Sequence, residues 1–392
     1  MFKRKLEKQF MKAVQMFPVI ILTGARQTGK STLCRTMLKD THGYVSLEDP
    51  DARQQALEDP RTFLKRYAAP VIIDEIQYAP NLVSYIQGIV DENRQSYGQY
   101  VLTGSQNFLL MRQVSQSLAG RAALLTLYPC SVNEVDEENH GPRSSLHDVA
   151  DWILRGGYPE LRARSELDRK AWCSAYIRLY LERDVRNLLN IGDLTAFERF
   201  IRLVALRTAQ ILNISDLARD AEVSPPTAKR WLSILEESYI IYMLHPYHAN
   251  LSKRLIKAPK IYFTDTALAS YLMGIHHDES LMDGPQLGPL FETSVIMEHL
   301  KHDSFSGNSA TFTYFRTKDG LEVDLFIEDE NRLFAREIKT TRTPMSRMAE
   351  NLIQVEKLLK KPLDKILLTP IDKAAPLSQD VMMRPWQQVE WS

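Results

Sequence analysis

The sequence lacks an excess of either charge, a cysteine framework and any long apolar run. Lysine plus arginine and aspartate plus glutamate each total 49 in 392 residues, so the formal net charge is zero. The chain as a whole therefore has no field that attracts nucleic acid, and any such binding must come from local patches. No segment approaches the roughly 18 consecutive apolar residues of a membrane span. The sequence also contains no internal repeat and no low-complexity segment.

Cysteine is scarce, and its spacing indicates neither a metal site nor disulfides. The three cysteines are Cys34, Cys130 and Cys173, a usage typical of the reducing cytosol, where most cysteines are small core residues. The amino terminus is basic and then apolar, but the apolar stretch is too short for a signal peptide and leads directly into a glycine-rich loop. We therefore expect a soluble cytoplasmic protein with no membrane partner.

A chain of 392 residues is too long for one ordinary core, since domains usually have about 100–200 residues. In the first third, short apolar strands alternate with helical stretches, which favours a parallel sheet covered by helices on both faces. The predicted strands are 19–22, 44–47, 71–74, 100–104 and 123–127. An acidic segment at 136–143 then indicates a linker, and residues 146–210 have mainly helical periodicity.

The segment GARQTGKS, Gly24 to Ser31, matches the pattern G-x-x-x-x-G-K-[ST] between a strand and a helix. Its glycines let backbone N–H groups surround phosphates, Lys30 supplies charge to the β and γ oxygens, and Ser31 can hold Mg²⁺. ATP and Mg²⁺ are therefore the expected cofactors. The predicted nucleotide-binding residues are Gly24, Ala25, Arg26, Gln27, Thr28, Gly29, Lys30, Ser31 and Thr32.

The apolar strand VIIDE ends in two adjacent carboxylates. Asp74 is expected near the metal, and Glu75 is expected to activate a water for attack on the γ-phosphate. The two motifs occur in this order on the predicted elements, which an ordinary strand-to-helix turn does not explain. The next strand ends in LTGSQN, where Thr103, Ser105 or Gln106 either senses the γ-phosphate or belongs to a plain polar loop.

In SLAGR, Arg121 follows a glycine at the end of a predicted helix. An arginine there can complete the site of a neighbouring subunit as an arginine finger, or it can cap the helix. We prefer the finger, and with it a homo-oligomer such as a hexameric ring.

At this point the chain resembles bacterial and archaeal AAA-type ATPases whose P-loop core is followed by a winged helix and a carboxy-terminal domain of restriction-endonuclease-like fold. The similarity runs almost from end to end, through GARQTGKS, SLEDPDARQQALEDP, VIIDEIQ, LTGSQ, SLAGR, GGYPEL, YLERDVRNL, WLSILEES and KAPKIYFTDTAL. It implies the fold and ATP binding. It maps the P-loop residues of the family onto Gly24, Gly29, Lys30 and Ser31, and its acidic pair onto Asp74 and Glu75.

The expected architecture is thus an α/β multidomain protein. The predicted domains are an ATPase core at 1–135, a helical lid at 136–196, a winged helix-turn-helix at 197–260 and a nuclease-like α/β domain at 261–392. The winged helix is also indicated locally, by two short helices that Ser215 and Ser224 can cap, followed by a strand at 239–244. The apolar face of the second helix is predicted at Ala228, Trp231, Leu232 and Leu235.

The second helix of such a motif usually enters the major groove with its early residues. Here these residues are Thr227, Lys229 and Arg230. The following segment, 245–260, is basic and contains no acid, which suits a wing that follows phosphates. Its cations are Lys253, Arg254, Lys257 and Lys260. We favour DNA contact, and the alternative is a lid or protein-docking module with a solvated hairpin.

The carboxy-terminal segment predicts a helix at 291–301 and strands at 311–316, 321–328 and 332–339. In the last two strands, LEVDLFIE and RLFAREIK, Glu322 and Asp324 share one face, as do Glu337 and Lys339. If DENR closes a hairpin centred on Glu330-Asn331, Asp324 lies opposite Glu337. Opposed carboxylates repel unless a cation lies between them, and Lys339 or Mg²⁺ can supply it.

This arrangement resembles the PD-(D/E)xK nucleases, whose Asp and Glu bind Mg²⁺ and whose Lys positions a water or the scissile phosphate. The resemblance implies a further acid on a helix, for which Glu292 matches best and Glu298 is the alternative. The expected catalytic set is Glu292, Asp324, Glu337 and Lys339, with Asp324 and Glu337 as metal ligands. The alternatives are a solvated edge hairpin and a nuclease fold that no longer cuts.

The expected function is an ATPase that acts on DNA, with branched DNA suggested by fold analogy. The alternatives are a nucleotide-dependent switch that binds DNA or protein without cutting, and a regulatory ATPase whose winged helix binds only protein.

Overall fold

The computed structural model describes residues 2–104, 118–136, 143–180, 194–247, 257–308, 310–330 and 332–391. The chain forms two compact units. The first comprises Met1–Cys130 with two short later segments, Glu237–Tyr239 and Ser304–Gly307; the second comprises Ser131–Glu236, Ile240–Asp303 and Asn308–Ser392. Within the ranges described, no helix is both long and apolar enough to cross a membrane.

The first unit is built on a five-stranded parallel sheet. Its strands are β1 (Val19–Thr23), β2 (Gly43–Ser46), β3 (Val71–Asp74), β4 (Tyr100–Thr103) and β5 (Ala122–Thr126). They lie in the order β2-β3-β4-β1-β5, and every neighbouring pair is parallel. The prediction of a parallel α/β sheet is therefore confirmed.

Helices cover both faces of this sheet. They are α1 (Glu7–Met16), α2 (Lys30–Leu38), α3 (Pro50–Glu58), α4 (Pro60–Arg66) and α5 (Leu82–Glu92), with a 3₁₀ turn at Ile76–Tyr78. Alternate residues of β1 point to opposite faces, so Val19 and Ile21 pack with α3, α4 and α5, whereas Ile20 and Leu22 pack with α1 and α2. Burial on both faces explains why these strands are apolar throughout.

The repeated Asp-Pro in SLEDPDARQQALEDP marks two helix starts. Asp49 caps α3 by accepting from the N–H groups of Asp51 and Ala52, and Asp59 caps α4 by accepting from that of Thr62. In each case a proline occupies the first helical position, where its missing N–H costs nothing. This segment therefore has a structural explanation.

The second unit begins with helices and a small sheet. The helices are α6 (Val132–Val135), α7 (Leu146–Arg155), α8 (Pro159–Ala163), α9 (Arg169–Tyr180), α10 (Leu194–Ala205), α11 (Ile214–Asp220), α12 (Pro225–Glu237), α13 (Thr266–Leu272) and α14 (Asp278–Met282). The strands are β6 (Gln210–Ile211), β7 (Ile241–Leu244) and β8 (Lys260–Phe263), in the antiparallel order β6-β8-β7.

The predicted strand at 239–244 begins two residues later, at Ile241, because Tyr239 has a left-handed φ of 57°. The elements α11, α12, β7 and β8 follow the order expected for a winged helix, and that assignment stays a prediction. The predicted apolar face of α12 is buried, as are the three cysteines.

The motifs GGYPEL and FTDTAL meet at one buried carboxylate. Asp265 caps α13 by accepting from the N–H of Ala267 at 2.9 Å, and its other oxygen accepts from the N–H of Gly157 at 2.7 Å. A single side chain thus holds the start of α13 and the turn before α8 together.

A six-stranded mixed sheet ends the second unit. Its elements are α15 (Leu287–Ser306), β9 (Thr311–Arg316), β10 (Glu322–Asp329), β11 (Arg332–Ile338), a 3₁₀ turn (Ser346–Ala349), α16 (Glu350–Leu359), β12 (Asp364–Thr369), β13 (Ala375–Ser378) and β14 (Val381–Pro385). The order is β13-β14-β12-β11-β10-β9, antiparallel from β9 to β11 and parallel between β11, β12 and β14. Helix α15 is longer than the predicted 291–301 at both ends.

The hairpin register agrees with the sequence prediction. Leu325 lies opposite Arg336, and the pairing continues to Asp329 opposite Arg332. The paired residues end at Leu325 and Arg336, and one further step in the same register would set Asp324 opposite Glu337. Glu330 has a left-handed φ of 50° in the turn, and Asn331 lies outside the described residues.

Candidate functional site

The phosphate loop after β1 depends on two left-handed glycines. Gly24 has a φ of 137°, and a Cβ there would lie 2.1 Å from the carbonyl oxygen of Leu127. Gly29, with a φ of 94°, immediately precedes α2, and no side chain caps that helix at Gly29. The N–H groups of its first turn lack intrahelical partners, so the loop offers an anion a set of backbone donors.

Lys30 lies buried at the base of this loop. Its Nζ donates to the carbonyl oxygens of Gly24 at 2.9 Å and Ala25 at 2.7 Å. An ammonium has three donors, so within the described residues one is left for a phosphate oxygen. Burial lowers the pKa of Lys30 to about 8, although the nearby Glu75 carboxylate opposes this shift.

The acidic pair lies at the carboxyl edge of the same sheet. Asp74 is buried at the end of β3, where its carboxylate accepts from the Tyr44 hydroxyl at 2.8 Å and from the Thr103 hydroxyl. The N–H of Glu75 donates to the same Thr103 oxygen at 3.3 Å, and the Gln77 amide donates to the Glu75 carboxylate. Thr103 therefore positions the acidic pair; Ser105 and Gln106, the other two sensor candidates, lie outside the described residues.

The remaining predicted nucleotide-binding residues line the loop and the first turn of α2. Thr28 is buried and donates to the carbonyl oxygen of Ala25 at 3.0 Å. The outer residues are Arg26, Gln27, Ser31 and Thr32, which are half-buried or exposed.

Arg4 also supports the loop, although the sequence did not predict it: its guanidinium donates to the carbonyl oxygens of Thr28 and Tyr128, each at 2.7 Å. A basic residue near the amino terminus gives no local signal of such a long-range contact.

A cavity of about 660 Å³ lies beside α2. Arg35 lies over the Tyr44 ring, 4.9 Å from its centre, and the Tyr44 hydroxyl reaches Asp74. The cavity is lined by Ser31, Thr32, Arg35, Thr36, Lys39, His42, Tyr44 and Ile72. Tyr44, which sequence reasoning also missed, therefore connects this basic cavity to the acidic pair.

Arg121 lies at the amino ends of the parallel strands, whereas the phosphate loop of the same chain lies at their carboxyl ends. It directly precedes β5, which runs parallel to β1 from Ala122 beside Val19. The five residues of β1 separate these two ends by roughly 16 Å. Its guanidinium binds Asp91 in two contacts, of 2.7 and 2.9 Å, and donates to the carbonyl oxygen of Ala119 at 3.0 Å. Arg121 therefore cannot reach the phosphate loop of its own chain. Both predicted roles stay open: an arginine finger for a neighbouring subunit, and a cap for the preceding helix.

The predicted carboxy-terminal acids meet in a buried pocket of the second unit. Asp324 Oδ2 accepts from the N–H of Ile338 at 2.9 Å, and Lys339 Nζ lies 3.8 Å from the same oxygen. Lys339 Nζ also lies 2.6 Å from Glu337 Oε1. Burial, followed by the charge of Asp324, raises the pKa of Glu337 to about 8. Glu337 Oε2 is buried and has no hydrogen-bond partner among the described residues.

Helix α15 contributes Glu292 to this pocket, and Glu298 lies elsewhere. Glu292 Oε1 accepts from the Tyr262 hydroxyl at 2.7 Å and lies 3.0 Å from Lys260 Nζ. Glu298 is held by Lys301 at 2.8 Å and by the N–H of Val132 at 3.0 Å. Burial, and then Asp324, raises the pKa of Glu292 to about 7. Of the two helix acids considered, the structure brings only Glu292 into the pocket.

The prediction that Lys260 belongs to an exposed basic wing is wrong. Lys260 is 3% exposed, and its Nζ lies 2.7 Å from Glu322 Oε1 in addition to its contact with Glu292. It is the first residue of β8, and its partners lie more than 30 residues away in the sequence, so the local run of cations could not reveal them. Lys257 is exposed as expected, whereas Lys253 and Arg254 lie outside the described residues.

The start of α12 presents the other predicted DNA-facing residues. Lys229 and Arg230 are exposed. Thr227 is half-buried, and its N–H donates to the Ser224 hydroxyl at 3.2 Å. Thr227 therefore takes part in the start of the helix, and the two cations are the residues that face solvent.

The pocket offers a divalent cation two neighbouring carboxylates. Throughout the described parts of the chain, no three His, Cys, Asp or Glu side chains form a group that would hold a metal ion unaided. Asp324 and Glu337 share a face, and the unpartnered Glu337 Oε2 suits a cation between them. Glu292, the third acid, is instead held by Lys260 and Tyr262.

Comparison with known proteins gives the class of the first unit. Residues 16–136 match a family model described as an AAA domain, so the fold and the phosphate loop define an AAA-type P-loop ATPase domain. Residues 146–279 and 287–389 match two models described as domains of unknown function, DUF8612 and DUF4143.

The family of the whole chain follows from its relatives. The chain is 30% identical over 387 residues to uncharacterized proteins of Mycobacterium tuberculosis and Mycobacterium bovis, covering 99% of this chain and 84% of each of them. It belongs to the same family as these proteins. Among solved structures, a Walker-type ATPase of Pyrococcus abyssi is 15% identical, with a TM-score of 0.46 over 69% of this chain and 96% of that protein.

Proposed function

We propose that the protein is a Mg²⁺-dependent, cytoplasmic, oligomeric ATPase that uses nucleotide turnover to act on DNA, through a winged helix and a nuclease-like domain. The four predicted domains are part of this proposal. The observation that carries it is the convergence of Glu292, Asp324, Glu337 and Lys339 in one pocket of a chain that also has an AAA domain.

In the ATPase half, we assign residues to phosphate binding, Mg²⁺ binding and orientation of the attacking water. The first turn of α2 and the third donor of Lys30 bind the phosphates, and Ser31 with Asp74 would hold Mg²⁺. Glu75 orients the attacking water, while Thr103 fixes its backbone. Arg121 serves a neighbouring subunit once its pair with Asp91 opens.

In the DNA half, support comes from exposed cations and from element order. Lys229, Arg230 and Lys257 face solvent at the start of α12 and before β8, where phosphates can approach them. Residues Lys253 and Arg254 remain predicted DNA contacts. The order α15, β9, β10, β11, α16 and β12 supports the restriction-endonuclease-like assignment.

In the pocket, Asp324 and Glu337 would hold Mg²⁺, which supplies positive charge to the scissile phosphate when bound. Lys339 is the residue that positions a water or steadies the phosphate. A second candidate function is a nucleotide-dependent switch that binds DNA or protein without cutting. It is favoured by the contact of Lys260 with Glu292 and Glu322, which offsets part of the pocket's negative charge without a metal.

The test uses labelled linear, forked and four-way DNA with and without ATP, in Mg²⁺ or Mn²⁺. We expect wild-type protein to cut at least one substrate, and we expect Asp324→Ala and Lys339→Ala to lose cleavage. Glu328→Ala, an exposed acid on the same strand, is the matched control and should retain it. ATP-dependent binding without cleavage would favour the switch, and an absence of salt-dependent DNA affinity would remove DNA from the proposal.

A further inference from the structure

The carboxylate pocket contains a cation that comes from a different sheet. Lys260 Nζ lies 2.7 Å from Glu322 Oε1, 3.0 Å from Glu292 Oε1 and 3.8 Å from Asp324 Oδ1. Glu292 comes from α15 and the other two acids from β10, whereas Lys260 begins β8 of the three-stranded sheet. One ammonium is therefore surrounded by three carboxylates on two elements.

Two tyrosines lie beside this group of charges, one against Glu292 and one against the ammonium. The Tyr262 hydroxyl donates to Glu292 Oε1 at 2.7 Å, and the centre of the Tyr314 ring lies 5.6 Å from Lys260 Nζ. Burial alone would lower the pKa of Lys260, but Glu292, Asp324 and Glu322 together raise it. Lys260 thus stays charged, and it holds Glu292 through the same oxygen that Tyr262 contacts.

The balance of charge limits how many further cations the pocket can take. The four carboxylates are Glu292, Glu322, Asp324 and Glu337. They face three cations: Lys260, Lys339 and also Arg316, which lies 2.7 Å from Glu322 Oε2. When all are ionised, one negative charge is left over. One divalent ion exceeds this charge by one, and a second would leave a large uncompensated positive charge in a buried site, which is unfavourable.

We propose that the Lys260 ammonium takes the position that a second divalent cation would otherwise occupy among Glu292, Glu322 and Asp324. The pocket therefore binds one divalent cation per chain, at Asp324 and Glu337, and Lys260 is a positioning residue for Glu292 and Asp324. The inference deepens the proposed function and rests on it, since it takes Asp324 and Glu337 as metal ligands.

Counting bound Mn²⁺ tests this inference without a cleavage assay. Nucleotide-free full-length wild-type protein and the Lys260→Met variant are titrated with Mn²⁺, and free Mn²⁺ is measured by electron paramagnetic resonance. The absence of nucleotide keeps the phosphate loop from contributing a site, because phosphates supply most of its metal ligands. We expect one ion per chain in wild type and two in Lys260→Met.

Thermal melting of the same proteins gives a second readout. Without metal, Lys260→Met should melt at a lower temperature than wild type, because three carboxylates lose their cation. Mn²⁺ should raise its melting temperature more than that of wild type. Lys365→Met is the matched control, because Lys365 is also buried but pairs with Glu356 away from the pocket. It should melt lower without gaining an ion or an additional response to Mn²⁺.

Two bound ions in wild type, or none, would overturn the inference, and this count decides it even if Lys260→Met fails to fold. One ion in both wild type and Lys260→Met would also overturn it. If wild type binds one ion and cuts no DNA, the inference stands while the proposed cleavage fails.

Discussion

The phosphate loop and the carboxylate pocket handle charge in opposite ways. In the loop, Lys30 donates to the neutral carbonyl oxygens of Gly24 and Ala25, and the N–H groups of α2 add positive character at the same place. In the pocket, Lys260 and Lys339 bind carboxylates directly. The loop is thus preorganised for an anion that must come from outside, whereas the pocket supplies most of its own counter-charge.

The largest effect is expected at the loop. Lys30→Ala removes the cation that faces the phosphates, so ATP turnover should fall by roughly 10²–10³-fold. Glu75→Gln should have an effect of similar size because it removes the proposed base for the attacking water. Steady-state phosphate release measures both, and Lys65→Ala, an exposed lysine on α4, should retain wild-type turnover. If turnover survives Lys30→Ala or Glu75→Gln, the loop is not the ATP-hydrolysing site that the comparison assumes.

A pair of glycine substitutions separates steric contact from backbone strain. Gly24→Ala places a Cβ 2.1 Å from the Leu127 carbonyl oxygen at a φ of 137°, whereas Gly320→Ala has a φ of 90° and no atom within 4 Å. We expect unfolding free energy to drop by about 3 kcal/mol or more in Gly24→Ala, and by about 1 kcal/mol in Gly320→Ala. Urea unfolding measures both, and equal losses would show that the loop can move away from Leu127.

The two sites should also respond to pH in opposite directions. Glu337 and Glu292 have raised pKa values of about 8 and about 7, so the folded protein holds protons that the unfolded chain releases. Their contribution to the free energy of unfolding is present below the ordinary carboxyl pKa and is lost as pH rises from about 5 to 8. Lys30 has a lowered pKa of about 8, so its contribution grows above pH 8.

Glu337→Gln isolates the pocket's share of this dependence. The variant should flatten the decline in unfolding free energy between pH 5 and 8 by roughly 2 kcal/mol. Urea titrations at each pH provide the measurement, and Glu328→Gln, which changes an exposed acid on β10, should keep the wild-type slope. An unchanged slope in Glu337→Gln would mean that its carboxyl group is ionised throughout this range.

The smallest effect is expected from Tyr44→Phe. This change removes a hydroxyl group that donates to Asp74, and a hydrogen bond of this kind is worth about 0.5–1.5 kcal/mol. ATP turnover should therefore fall by roughly 2–10-fold, with little change in stability. The exposed Tyr85 gives the control variant Tyr85→Phe, and equal turnover in the two variants would remove Tyr44 from the site.

The sequence predicted features that depend on neighbouring residues in the chain. The apolar runs predicted the five parallel strands, and period-two alternation with a short turn predicted the register that sets Asp324 opposite Glu337. The phosphate loop is one continuous motif, so its residues could be named directly. In each case the pattern is contiguous, and local geometry determines the result.

Contacts between distant segments could not be predicted in this way. Lys260 looks like its basic neighbours until β8 places it against Glu292 and Glu322, and Tyr44 has no signal that points to Asp74. Arg121 is bound by Asp91, a partner that its own motif does not contain. Burial and charge pairing across the fold decide these positions, so they required coordinates.

The Asp265 carboxylate has a consequence for making hybrids of related chains. It accepts hydrogen bonds from Gly157 and Ala267, so the GGYPEL turn and the start of α13 share one acceptor although more than 100 residues separate them. Losing that acceptor leaves two buried N–H groups unpaired. A chimera of two family members should therefore take both segments from the same parent, whatever the position of its crossover points.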